Sequence, residues 1–183
     1  VGRNARSDCN GLLRGTHVST MVVKDNKVYL GGQFNTVASC NDPDSGYFNG
    51  VGCTTNLARL DMGDDEFEHV YDCDMLDSYE SIYALEFSGD DLVVGGEITC
   101  VDMRHGNGWS RCYRDADNVV ILKPNGTWST PGYLKANSVV RAIELDGSAL
   151  YLGGGFSKVG GGPSARRIAY YDNFPNDGGT WHN

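Results

Sequence analysis

The segment LYLGGGFSKVGGG, Leu150 to Gly162, carries six glycines in thirteen residues and raises the question of phosphate binding. A phosphate cradle aims successive backbone N–H groups at the anion, which requires G-x-G-x-x-G opening a helix or G-x-x-x-x-G-K-[ST]. Neither spacing fits. After Gly153 and Gly155 the third glycine position holds Lys158, and Gly160 to Gly162 run into Pro163 with no helical pattern behind them. Metal chemistry is no better served, because the six cysteines form no C-x-x-C pair and no cluster with histidine. His17, His69, His105 and His182 are scattered, and no Ser-His-Asp or Cys-His arrangement forms a local motif. Carboxylates are abundant without any one being marked as a buried acid or base. The chain therefore reads as non-enzymatic, with no catalytic residue and no cofactor.

Two loops are the candidate binding elements. SCNDPDSGYFNGVGC, Ser39 to Cys53, presents Tyr47 and Phe48, and CVDMRHGNGWSRC, Cys100 to Cys112, presents Trp109. Aromatic loop tips offer large apolar area with few rotamers to freeze, so they can stack on sugars or anchor a partner. The competing reading folds them back over their own loop. Asp42-Pro-Asp44-Ser-Gly46 matches the start of a calcium loop, which makes Asp42 and Asp44 the calcium candidates. The third acidic ligand and the closing Glu are missing, so a solvated turn is the simpler reading. Asn125-Gly126-Thr127 is the single N-x-[ST] sequon and falls in a turn, an exposed place suited to glycan attachment.

The elements that position these residues recur along the chain. HVSTMVVKDNKVYLGGQF from His17, SIYALEFSGDDLVVGGEI from Ser81 and VVRAIELDGSALYLGGGF from Val139 align without a gap, with their glycine pairs beginning at Gly31, Gly95 and Gly153. The periods are 64 and 58 residues, which marks a repeat architecture. Each copy reads as four short strands. The first two are joined by a tight turn at Asp25-Asn26, Gly89-Asp90 or Asp146-Gly147. The glycine pair either admits a neighbouring backbone or permits a bulge. A third strand begins near Asn56, Asn118 or Arg167, and a short aromatic fourth lies around Phe67, Trp128 or Trp181. Helical periodicity is not sustained anywhere. The fold class expected is all-β: three four-stranded antiparallel blades in a single domain, with a lead-in at 1–17 and blades at 18–80, 81–138 and 139–183.

Tyr-Leu-Gly-Gly-x-Phe, the Ile-Ala-Tyr-Tyr-Asp strand and the closing Gly-Thr-Trp are similar to kelch-like propeller repeats, and resemble in particular the Gly-Gly-Phe repeats of large secreted and cell-surface proteins. The resemblance spans Val18 to Trp181 and implies scaffolding, adhesion or wall association. A kelch-like copper oxidase would need grouped His and Tyr ligands, which the scattered histidines do not provide.

Three blades are fewer than a closed propeller uses. They leave sheet faces uncovered at both ends, so the expected partner is the chain itself, packed head to tail into a ring or filament. The alternative is an adhesion module cut from a larger propeller, binding a glycan or a surface protein. Six cysteines point to an extracellular or cell-surface setting. Cys40–Cys53 and Cys100–Cys112 bracket the long loops and are the expected staples. Cys9 and Cys73 stand 64 residues apart at equivalent positions. They pair only if their connectors converge, an intermolecular bond being the alternative. With 15 Lys and Arg against 24 Asp and Glu, the net charge of −9 argues against nucleic-acid partners and anionic lipid. No apolar run is long enough for membrane insertion.

Overall fold

The computed structural model describes residues 15–35, 55–63, 66–68, 80–106, 109–162 and 164–183. They form strands β1 Gly15–Lys24, β2 Lys27–Asn35, β3 Thr55–Asp61, β4 Glu66–Glu68, β5 Ser81–Ser88, β6 Asp91–Glu97, β7 Cys100–Gly106, β8 Trp109–Asp115, β9 Val119–Leu122, β10 Trp128–Ser129, β11 Val140–Asp146, β12 Ala149–Gly154, β13 Ile168–Tyr171 and β14 Trp181–His182. One 3-10 turn, Gly132–Leu134, is the sole helical piece among the described residues. The chain is all-β. Three four-stranded antiparallel sheets run β1-β2-β3-β4, β5-β6-β9-β10 and β11-β12-β13-β14, and β7-β8 make a separate two-stranded ladder. Among the described residues these sheets do not close into a ring.

Local chemistry sets the hairpins. Lys24 pairs with Lys27 across Asp25-Asn26, and both turn residues have positive φ, 50° and 60°. That is the two-residue turn Asp and Asn tolerate best after glycine. The second hairpin turns at Gly89-Asp90 as expected. The third turns one residue later than expected, at Gly147-Ser148, since Asp146 pairs with Ala149 and Gly147 takes the positive φ.

The sheets stack face to face in chain order, β5 packing on β1 and β2, and β11 on β5 and β6. Alternation along each strand divides the second sheet between two cores. Leu92, Val94, Val120 and Leu122 face the first sheet, where Leu57, Val22 and Tyr29 meet them. Val93, Val119 and Ile121 face the third sheet, against Val140, Ile143, Leu150, Leu152, Ala169 and Tyr171.

The segment expected as a loop from Cys100 to Cys112 is instead the β7-β8 hairpin. Its sequence signal is Asn107-Gly108, a hairpin-type pair flanked by strand residues. Each third strand has a residue of left-handed φ at its start: Asn56 at 68° is the second residue of β3, and Asn118 at 66° and Arg167 at 69° immediately precede β9 and β13. Two of these are asparagines that use the kink. Asn56 Oδ1 accepts from Phe34 N at 3.0 Å and Asn118 Oδ1 from Ile98 N at 3.3 Å, tying the end of the second strand to the start of the third.

Candidate functional site

Cys9, Cys40, Asp42, Asp44, Tyr47, Phe48, Cys53 and Cys73 lie outside the described residues. Trp109 opens β8 opposite Gly106, which places it at the tip of the β7-β8 hairpin. Asn125 is exposed in the turn before β10, where its Oδ1 accepts from Thr127 N at 3.1 Å and from Thr127 Oγ1 at 2.8 Å. Among the described residues no three of His, Cys, Asp or Glu gather as a metal-holding group, and no helix is long and apolar enough to cross a membrane.

Cys100 is buried and disulfide-bonded. The expected Cys100–Cys112 pairing is at odds with the register. Cys100 stands opposite Asp115 and Cys112 opposite Met103, three rungs away. Three rungs separate their Cα atoms by about 10 Å along the strands, beyond the roughly 7 Å that a disulfide tolerates. An irregular loop would leave this spacing free, whereas a ladder fixes it. The entry to β7 is held by Glu80, whose Oε1 accepts from Thr99 N at 2.6 Å, Thr99 Oγ1 at 2.8 Å and Cys100 N at 2.9 Å.

Of the two uses anticipated for the glycine pairs, the bulge is present in all three copies, whereas the first glycine of a pair meets neighbouring side chains rather than a neighbouring backbone. All three first strands carry the same bulge opposite the pair, between Val18 and Thr20, Ile82 and Ala84, and Val140 and Ala142. The second glycine accommodates it. A Cβ on Gly32, Gly96 or Gly154 would strike the carbonyl oxygen of His17, Ser81 or Val139. The first glycine receives the next sheet. A Cβ on Gly31 would run into Ile82, and one on Gly95 would lie 2.7 Å from Ile143 Cδ1 and 2.9 Å from Val140 Cγ1. On Gly153 the nearest atom is Ala142 Cβ, 3.5 Å away in its own sheet.

This joint leaves two unmatched faces at the ends of the stack. The leading face, on β1, presents Val18, Met21 and Val23. Met21 is 64% exposed, whereas its counterparts Leu85 and Ile143 are 5% and 8% exposed within the stack. The trailing face, on the third sheet, presents Gly153, Tyr151, Tyr170 and Ile168. Ile168 is 62% exposed, whereas its counterparts Leu57 and Val119 are 3% and 2% exposed.

The trailing face also carries a row of stacked rings. Tyr151 lies 5.3 Å from Tyr170, and Tyr170 lies 4.6 Å from His182, centroid to centroid. Asp172 steadies the row's end, its Oδ2 2.8 Å from His182 Nε2 and its Oδ1 accepting from Thr180 N at 2.7 Å. The His182 hydrogen bond, followed by that of Thr180, holds the Asp172 carboxyl below its ordinary value. Residue types alone did not reveal this row. Its signal was the alternation in β13, which sets Tyr170 on the opposite face from buried Tyr171.

No protein-family model and no curated protein matches the sequence. Among solved structures, the chain is similar to the computationally designed Ika8 protein, with 16% identity and a TM-score of 0.39 over 91% of this chain and 49% of that one. The chain thus spans about half the length of that designed protein.

Proposed function

We propose that the chain is a non-enzymatic structural or scaffold protein of the extracellular space or cell surface, built from propeller-type β-repeats similar to kelch-like ones. The observation that carries this reading is the employment of the repeated motif. The glycine pair, the bulge and the apolar residues around it are spent on stacking one sheet on the next, in both sheet junctions. Motifs that recur for mutual packing make a surface of extendable length, which is the physical requirement of a scaffold. The buried disulfide of Cys100 suits an oxidising setting, and exposed Asn125 is available for a glycan.

The test is expression behind a secretory signal in a eukaryotic host, followed by fractionation of cells, medium and detergent-insoluble matrix. Retention in the matrix, with a glycan on Asn125 removed by the Thr127→Ala change, supports the reading. A chain found only in the cytosol, or wholly free in the medium, overturns it.

A second reading, a glycan- or protein-binding adhesion module, is favoured by the Tyr151–Tyr170–His182 row. Flat stacked rings are a platform on which sugar faces can lie. A glycan array separates the two: binding lost on Tyr170→Ala supports the adhesion module.

A further inference from the structure

We infer that the leading face of one chain docks on the trailing face of a second copy, repeating between molecules the joint that holds the sheets together within one. This inference rests on the scaffold reading and names its partner and surface.

The joint is seen twice inside the chain. At the first, Ile82 sits over Gly31 and Leu85 enters the shared core, while Phe87 meets Tyr29 edge-on at 5.1 Å. At the second, Val140 and Ile143 sit over Gly95, and Leu145 packs against the core. The donor set is therefore three apolar residues on the first strand of a sheet, and the acceptor is the first glycine of the pair on the sheet before. The leading face holds the same donor set at the same positions, Val18, Met21 and Val23. The trailing face holds the same acceptor, Gly153, and among the described residues nothing from another sheet stands in front of it.

Neighbouring positions agree. Tyr151 occupies the place in the third sheet that Tyr29 has in the first, so Val23 of a second copy falls where Phe87 falls on Tyr29. Ile168 stands where Leu57 and Val119 are covered, and a second copy covers it in the same way. The two faces differ from each other, so the contact is heterologous and each chain has one of each kind to offer. Exposed apolar residues in matching rows at both ends are what such a contact would consume.

Sedimentation velocity on the purified chain tests this, with loading up to about 100 µM, where a contact of micromolar Kd is saturated. Wild type is expected to grow in mass with concentration. Met21→Asp spoils only the leading face, while Gly153→Leu or Ile168→Asp spoils only the trailing face. Met21 and Ile168 are exposed and Gly153 has room for a side chain, so all three variants keep the fold, which an unchanged melting temperature verifies. Each variant alone is expected to be monomeric at 19.8 kDa. An equimolar mixture of Met21→Asp with Gly153→Leu still has one intact face of each kind, and is expected to form a dimer and stop there.

Wild type that stays monomeric over the whole range overturns the inference, as does a mixture of variants that fails to pair. Association untouched by the face variants overturns it too, since another surface would then be in use. A monomer that is still retained in the extracellular matrix leaves the scaffold reading standing and removes only this contact.

Discussion

The side chain of Ile143 occupies the space directly in front of Gly95, so that a Cβ at Gly95 would lie 2.7 Å from Ile143 Cδ1. Replacing Gly95 by alanine must push the second and third sheets apart or force Ile143 off its rotamer, at a cost of about 1–3 kcal/mol. Gly153→Ala meets only ordinary contact at 3.5 Å. It should be neutral or gain about 0.5 kcal/mol by restricting the unfolded chain. Urea unfolding of the two variants at low protein concentration measures the contrast, and equal losses would show that the glycines are not joints.

A parallel contrast holds for the residues that enter the joint. Ile82 is fully buried between the first and second sheets, and its truncation to alanine should cost about 2–5 kcal/mol. Met21, the exposed counterpart of buried Leu85 and Ile143, should change stability by less than about 0.5 kcal/mol when truncated. Chemical denaturation of the monomer provides both values.

The strand plan was readable because its signals are local. Turn pairs at Asp25-Asn26 and Gly89-Asp90, apolar alternation, and the recurrence of the glycine pair each depend on a few adjacent residues. The third turn is ambiguous in sequence by one residue, because Asp146-Gly147 and Gly147-Ser148 are both acceptable turn pairs and only the ladder register chooses between them. For the β7-β8 hairpin two local signals compete, since the Cys100 and Cys112 spacing suggests a stapled loop while Asn107-Gly108 suggests a tight turn. The aromatic row is legible only at Tyr170, through the alternation in β13; Tyr151 and His182 join it only through the register of three strands.

Cysteine linkage gives an independent check on the register. Digestion under non-reducing conditions should yield Cys100 joined to a cysteine other than Cys112, because the ladder keeps those two three rungs apart. Mass spectrometry of a peptide linking Cys100 to Cys112 would show the β7-β8 pairing to be misaligned.

Acid should loosen the stack through a few surface carboxylates. Asp61 is held below its ordinary value chiefly by its hydrogen bond from Lys27, then by the Gly63 N–H; Asp90 by Lys24; and Asp172 by His182. A carboxyl whose folded value is depressed contributes stability above its unfolded value and loses it as pH falls through the folded one. The urea midpoint should therefore drop below about pH 4, where these carboxylates take up protons. Asp90→Asn should flatten that drop and weaken the bridge by which Lys24 of the first sheet reaches the Gly89 carbonyl and the Asp90 carboxylate of the second. An unchanged pH profile in Asp90→Asn would count against the bridge.

The twin glycines with their bulge have a consequence for how such a chain can lengthen. Each unit brings a plug on one side and its socket on the other, both written within one short contiguous segment such as His17 to Phe34. Duplicating one unit in a gene therefore supplies a working seam at once, with no compensating change required in the units already present.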